Sequence, residues 1–338
     1  MPEKYGGSES GIFPLIFALE QLASHGGGNN QIVLTTAATM ALALGGEGPL
    51  QENLLPQLAA GKLKFCLAVT EPEAGFNILR ARTSAVRQDN HYRVNGSKIY
   101  ISGADKADYM LLLARTKSIE QCSAEGLPKT FGVSLLVVDA RDPAIQRRPV
   151  RAHGDGGLVP FELSFNDVRV PADHCVGPEH AAAMLMFAAF NPERILFAAQ
   201  ALGMSQYCLD RACAHASQRR VFKDPIGAYQ SIQHPLAEVK IRQQAVRWAT
   251  YRAAWSFERQ DDPIEVSIHA NGAKLLASEL ATKSVDAAID AFGGKGFDED
   301  YGIIHLLPQA RLMKTSPISN ALILNAIAEH VLALPRSY

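Results

Sequence analysis

Several things are scarce in this sequence, and each scarcity removes a class of function. No sign of charge dominates, since 33 Lys and Arg stand against 34 Asp and Glu in 338 residues. A nucleic-acid binder usually carries a basic domain or stripe, so the balance argues against nucleic acid as a partner. Cysteine is sparse: Cys66, Cys122, Cys175, Cys208 and Cys213 show no CxxC or paired spacing. They read as reduced, mostly buried thiols of a cytoplasmic protein, which excludes a disulfide framework or a zinc site. MPEKYGGSES has neither a basic start nor an apolar core, so no signal peptide is expected. The longest apolar run, AAAMLMFAAF from Ala181 to Phe190, falls short of the roughly 20 residues that cross a bilayer. No membrane span is expected. GGKGF follows a helical stretch and lacks GxGxxG, and neither a P-loop nor HExxH occurs. Ten scattered histidines show no metal spacing, and no Ser-His-Asp set can be read.

What is present is a chain long enough for about two or three domains, in three textures. Residues 11–60 are helical in character, with GIFPLIFALEQLASH and IVLTTAATMALAL separated by the breaker GGGNN. From Lys64 to about Val176 come short runs rich in Val, Ile, Tyr, Phe and Thr: FCLAVT, TSAVRQ, HYRVNGSKIYISG, YMLLLART, FGVSLLVVD and FELSFNDVRVP. Asn95-Gly96 inside one of them is a hairpin signal. After Pro178 the apolar spacing returns to three and four, through ERILFAAQALGMSQYCLDRACAHASQRR, the stretch Gln230 to Arg259, and SIHANGAKLLASELATKSVDAAIDAF. Helices, then strands, then helices imply the α+β class, with an N-terminal helical part over 1–63, a middle β-domain over 64–176 and a helical domain over 177–338.

One stretch poses a chemical question. In FNPERILFAA, Asn191 suits a helix cap, Pro192 suits the first helical position, and Glu193 faces the positive end of the macrodipole. Those rules require no function. Yet beyond Arg194 the segment is almost wholly apolar, so the carboxylate can also face a dry pocket.

Five blocks carry a resemblance. CLAVTEPEAG (Cys66 to Gly75), NGSKIYISGADKAD (Asn95 to Asp108), FNDVRVP (Phe165 to Pro171), RRVFKDPIGAYQSIQHPLAE (Arg219 to Glu238) and AFGGKGFDEDY (Ala291 to Tyr301) closely resemble the acyl-CoA dehydrogenase family, in its order and spacing. The resemblance implies an N-terminal helical domain, a middle β-domain and a C-terminal four-helix bundle, with FAD wedged between the last two. Leu67, Val69 and Thr70 match the strand passing the isoalloxazine ring, with Thr70 a donor to it. Tyr100 and Ser102 stand where the family usually has Trp and Thr beside the flavin. Arg219, Phe222 and Gln230 match residues that hold the pyrophosphate and adenosine from a neighbouring subunit, and Asp290 replaces a usual Gln near the adenosine. Gly293 and Gly294 match a close approach of backbone to the cofactor, which a residue without Cβ permits. Ser319 falls in the same cofactor set, while Phe76, Asn191 and Arg194 fall on the substrate side. PEKYGGSES resembles the family's PEEYGGSG, normally preceded by two helices, so the chain reads as N-terminally short.

Family chemistry is α,β-dehydrogenation of an acyl-CoA thioester. A carboxylate removes the α-proton while hydride passes from the β-carbon to flavin N5. Such a base needs a dry pocket that raises its pKa towards working pH. Most members carry it in an IYEGT-like segment, but gap-free counting lands on TSPIS (Thr315 to Ser319), with Pro317 in its place. The isovaleryl-CoA and long-chain branch places a glutamate directly before the Arg that opens the first bundle helix, here Glu193. Proline also lacks the N–H that would help bind the thioester oxygen, unless Ile318 or Ser319 offers its own. The implied partners are an acyl-CoA, an electron-transfer flavoprotein and further copies in a dimer or tetramer. The alternatives are a catalytically weak family-like subunit, or a flavoenzyme acting on a non-CoA substrate.

Overall fold

The β-rich runs become strands, and their neighbours become helices much where the periodicity places them. The computed structural model describes residues 1–154 and 157–336. In chain order it contains α1 (Phe13–Ser24), α2 (Asn30–Leu44), α3 (Pro49–Ala59), β1 (Phe65–Ala68), β2 (Ser84–Gln88), β3 (His91–Ser102), β4 (Tyr109–Arg115) and α4 (Ile119–Ala124). Then follow β5 (Val133–Asp139), β6 (Ile145–Pro149), β7 (Pro160–Pro171), β8 (Cys175–Val176), α5 (Ala182–Ala189) and α6 (Asn191–Gln218). The remainder is β9 (Arg220–Val221), β10 (Asp224–Pro225), α7 (Gln230–Glu258), α8 (Pro263–Phe292), α9 (Leu306–Leu312) and α10 (Asn320–His330). Short turns of 3₁₀ helix connect several of them.

Contacts group these elements into two compact units, Met1–Ser10 with Asn30–Phe190, and Gly11–Asn29 with Asn191–Tyr338. The first is an eight-stranded sheet in the order β6-β7-β3-β2-β4-β5-β8, with β1 parallel to β4. Successive side chains of a strand point to opposite faces. Leu111 and Leu113 of β4 and Leu135 and Val137 of β5 therefore join one buried cluster with Leu42, Leu54 and Met186. Met110, Leu112, Leu136 and Val138 join another with Tyr92, Leu163 and Phe165. Burial on both faces explains why YMLLLA and VSLLVV are continuous apolar runs rather than alternating ones.

The hairpin expected at Asn95-Gly96 is elsewhere. Those residues lie inside β3, and the β2–β3 turn is Asp89-Asn90, with Gln88 opposite His91 and Asp89 at φ 49°. Gly96 answers a different need. Its φ is 144°, and a Cβ there would lie 2.6 Å from Thr83 Cα. A glycine was required by crowding, and the sequence signal alone could not tell crowding from turning.

The second unit is helical. α6, α7 and α8 are its long helices, with α10 packing on α8. Asp262 caps α8 through the Ile264 amide at 2.9 Å, so the charged stretch between α7 and α8 is a helix start as well as a turn. Residues 11–29 join this unit rather than the rest of the N-terminal segment. Glu258 of α7 accepts the Ile12 amide at 2.6 Å, and Glu20 accepts from Arg247 at 2.6 Å and Tyr251 at 3.1 Å. α1 packs against α6 where Gly203 leaves room, because a Cβ there would sit 2.2 Å from the Glu20 carbonyl oxygen. The stretch Ala182–Gln218 is apolar and long enough in one window to cross a membrane by length and composition, yet 67% of that window is buried in the fold. All five cysteines are free thiols, with Cys66, Cys122 and Cys208 buried and Cys213 exposed.

Gly203→Val is expected to destabilise the protein by about 1–3 kcal/mol through overpacking of α1 against α6. Urea unfolding checks this, and an unchanged midpoint would remove Gly203 as the reason for the close approach.

Candidate functional site

The first turn of α6 holds three buried polar residues in succession around a proline: Asn191, Glu193 and Arg194. α6 begins at Asn191 itself, and the Asn191 side chain does not cap. Its Oδ1 instead accepts a hydrogen bond from Arg194 Nη1 at 2.8 Å. The expected cap is therefore a side-chain brace one turn in length, because a guanidinium buried nearby competes for the same oxygen. Glu193 is only 4% exposed. Burial pushes its carboxyl up to about 7, against an opposing pull from the charge of Arg194. Arg194 is itself lowered by burial, partly offset by Glu193. A carboxylate with a cationic neighbour would ordinarily sit low. Here desolvation wins, since no hydrogen bond to the ionised form contributes.

A third charged group joins them, one that reasoning from sequence did not single out. Lys274 of α8 is 1% exposed. Burial first, and the charge of Arg194 second, push its ammonium down to about 7. Lys274 Nζ donates to the Ile318 carbonyl and, at 3.0 Å, to Asn320 Oδ1. Arg194 thus stands electrostatically between the start of α6 and the turn that contains Pro317. A signal for Lys274 was available: it occupies the buried stripe of α8 with Ala273, Ala277, Ser278 and Ala281, in a position where periodicity calls for an apolar residue.

In the sheet unit, a buried ion pair fastens the segment after β1. Lys98 Nζ donates to Glu71 Oε1 and to the Val69 carbonyl, both at 2.8 Å, and Lys98 is fully buried. The Glu71 carboxylate also accepts the amides of Arg82 at 2.7 Å and Thr83 at 3.0 Å. Burial raises Glu71, but Lys98 and those amides outweigh it and hold the carboxyl below its usual range. Burial lowers Lys98 to about 8, against the pull of Glu71. Beside this pair, the Ile99 amide donates to the Thr70 carbonyl at 3.0 Å, and Thr70 Oγ1 donates to the Ile99 carbonyl at 2.6 Å. The hydroxyl proton assigned to the flavin is therefore engaged within the protein, leaving Thr70 Oγ1 as an acceptor.

Tyr100 follows directly, at a bulge. Between Lys98 and Ile101 the register of β3 against β7 shifts by one extra residue on β3. Tyr100 takes φ 59° and is 62% exposed. Leu67, Val69, Thr70 and Ser102 are half-buried, and Phe76 is 63% exposed. In the helical unit the β9–β10 hairpin carries Phe222 at its tip, at φ 59° and 97% exposed, next to the exposed Arg219. Gln230 and Asp290 are exposed as well. Ser319 is buried and serves as the N-cap of α10, accepting the Leu322 amide at 3.2 Å.

These residues fit a large flat cofactor such as FAD. Bulky residues avoid positive φ at a cost of order 1–3 kcal/mol, and such strain gathers at binding sites. Both expected aromatic contacts, Tyr100 and Phe222, adopt it while exposing their rings. At Gly293 and Gly294 an added Cβ would meet no protein atom within 4 Å, so the backbone there is open to close approach. Among the described residues no cluster of His, Cys, Asp and Glu is arranged to hold a metal ion.

Comparison with known proteins gives the family. Residues 66–168 match the acyl-CoA dehydrogenase middle domain and residues 183–332 the acyl-CoA dehydrogenase C-terminal domain. The acyl-CoA dehydrogenase FadE12 of Mycobacterium tuberculosis is 35% identical over 100% of this chain and 85% of its own length. Among solved structures, butyryl-CoA dehydrogenase from Megasphaera elsdenii superposes with a TM-score of 0.89 at 27% identity, covering 98% of this chain and 86% of its own. The FAD complex of PigA gives 0.88 at 25% identity, over 98% of this chain and 85% of its own.

Two outcomes follow from the charges. Lys98→Met leaves Glu71 buried and unpaired, and is expected to cost about 3–5 kcal/mol in chemical denaturation. Glu193 prefers its neutral form in the fold, so its stability contribution is complete below pH 4.5 and is lost as pH rises through about 7. Glu193→Gln is therefore expected to be more stable than the parent at pH 8, by on the order of 3 kcal/mol, with the gap closing at pH 5. A gap independent of pH would show that Glu193 is not titrating near 7.

Proposed function

Because the chain belongs to the acyl-CoA dehydrogenase family, we propose that it catalyses the α,β-dehydrogenation of an acyl-CoA thioester with Glu193 as the base. One observation carries this reading. A buried carboxylate with its pKa raised to about 7 stands at the start of α6, in a chain whose usual base position is occupied by Pro317. A base is most effective with a pKa near working pH, because it is then both substantially ionised and a willing proton acceptor. Glu193 takes the α-proton, and the Asn191–Arg194 brace keeps the turn that carries it in one orientation. FAD, when bound, supplies the hydride acceptor at N5. Leu67, Val69, Thr70, Tyr100 and Ser102 in the sheet unit, with Arg219, Phe222, Gln230, Asp290, Gly293, Gly294 and Ser319 in the helical unit, are the residues we assign to it. Phe76, Asn191 and Arg194 are assigned to the substrate.

Further elements of the reading concern partners. The partner we assign as electron acceptor is an electron-transfer flavoprotein, which would take up the electrons that FAD, when bound, accepts from the substrate. Ile241, Trp248 and Trp255 on α7 are exposed and seven residues apart, one stripe along a helix. That stripe supports a homo-oligomer, a dimer or tetramer, since large apolar side chains in line are costly in water. Free thiols support a reducing, cytoplasmic location, and the acyl-CoA reading is what assigns the reaction to fatty-acid or lipid metabolism. A second reading, a catalytically weak subunit, is favoured by Pro317, which lacks an amide to stabilise the thioester oxygen. Loss of one such donor commonly costs about 3 kcal/mol of transition-state stabilisation.

Anaerobic addition of straight, branched and aromatic acyl-CoAs to the purified yellow protein separates the two. Bleaching of the flavin band supports dehydrogenation, and no bleaching by any of them supports the weak subunit. Glu193→Gln is expected to retain FAD and slow bleaching by about 10²–10⁴-fold. In the parent, the reduction rate should rise with pH and level off above about 7, as Glu193 ionises. A variant that bleaches at the parental rate removes Glu193 from the role.

A further inference from the structure

Lys274 is buried without a carboxylate partner among the described residues, and everything it donates to lies in one turn. Its two acceptors are the Ile318 carbonyl and Asn320 Oδ1, and they flank Ser319. Two acceptors satisfy both N–H groups of a neutral amine, or two of the three of an ammonium. That arrangement agrees with the downward push on this lysine from burial and from Arg194. Asn320 is held a second time, by Ser278 one helical turn further along α8, whose Oγ accepts Asn320 Nδ2 at 3.0 Å. The turn is also closed on itself, with the Asn320 amide donating to the Lys314 carbonyl at 3.0 Å.

Inside this clamped turn the amides behave differently. Pro317 has none. Those of Ile318 and Ser319 donate to no protein acceptor among the described residues, although Ser319 is only 6% exposed. Ile318 is half-buried and Ser319 buried, and an unpaired buried donor costs about 1–3 kcal/mol, so a turn that leaves the Ser319 amide free has a use for a donor. A lysine costs more to bury than any apolar residue that could fill the same stripe of α8. The cost is explained if the turn must be held in place more firmly than packing alone would hold it.

We infer that Lys274 is a positioning residue: through the Ile318 carbonyl and the Asn320 carboxamide it fixes the turn whose Ile318 and Ser319 amides bind the carbonyl oxygen of the thioester. This rests on the acyl-CoA reading above. It replaces the amide that Pro317 cannot supply with the next two in the chain, and it makes their placement depend on α8.

The test uses the FAD-loaded enzyme and two variants, Lys274→Met and the paired Lys274→Met/Asn320→Leu, the second because it strands fewer buried polar groups. Hydrogen–deuterium exchange over residues 314–322 should quicken by about tenfold or more in both, while the sheet and the rest of α8 exchange as in the parent. The anaerobic rate constant for flavin reduction should fall by about a hundredfold, the scale of a misplaced reacting group, with acyl-CoA binding changed far less. Unchanged exchange overturns the clamp. Faster exchange with an unchanged reduction rate constant overturns the positioning role. A parent that no acyl-CoA bleaches overturns the dehydrogenation reading and the donor role with it, whereas the exchange comparison decides the clamp by itself.

Discussion

The withdrawal of one carboxylate from water is the constraint on which the helical unit depends. Glu193 is enclosed at the start of α6 with a guanidinium beside it, and the enclosure outweighs the attraction. Bare burial of a charge would be intolerable, so the surroundings are arranged around it. Arg194 is braced by Asn191, and its charge is felt by Lys274 on α8. Three titratable groups share one dry region, two of them with pKa values near 7. Such a cluster is poor for stability, and perturbed pKa values of this kind are what proton transfer uses.

The sheet unit shows the opposite solution to the same problem. Lys98 and Glu71 are buried as a pair, and the carboxylate has backbone amides as well, so it stays ionised. The pair sets where Val69, Thr70 and Glu71 lie against β3, just before the bulge that turns Tyr100 outward. Rigid fastening of one segment and local strain in the next belong together: a bulky residue remains at positive φ only when its neighbours over-determine it.

Much of this was legible in advance. The strand runs between FCLAVT and FELSFNDVRVP were readable because β-branched and aromatic residues cluster there between turn residues. β6 (IQRRP) has a single β-branched residue, and β8, β9 and β10 are two residues long, so none of these four showed a pattern. α6, α7 and α8 followed from apolar spacing. Asn95-Gly96 misled, because a glycine tolerated at a turn and a glycine forced by Thr83 look alike in a string of letters. Glu193 was legible as a candidate from its neighbours and from Pro317. Lys274 was marked only by its place in the apolar stripe of α8, a weak signal, because a single lysine in a helix ordinarily snorkels to solvent and its partners lie more than forty positions away.

By itself, then, the sequence determined the elements and their order, the motifs that mark the family, and the absence of a base at position 317. These are local properties, written in period, composition and the covalent nature of proline. Tertiary structure alone decided which charges lose their water, that Asn191 braces Arg194 instead of capping, and that α1 packs on α6 rather than with α2 and α3. Solvation and long-range contact depend on what surrounds a residue in space, and no neighbour in the chain reports that.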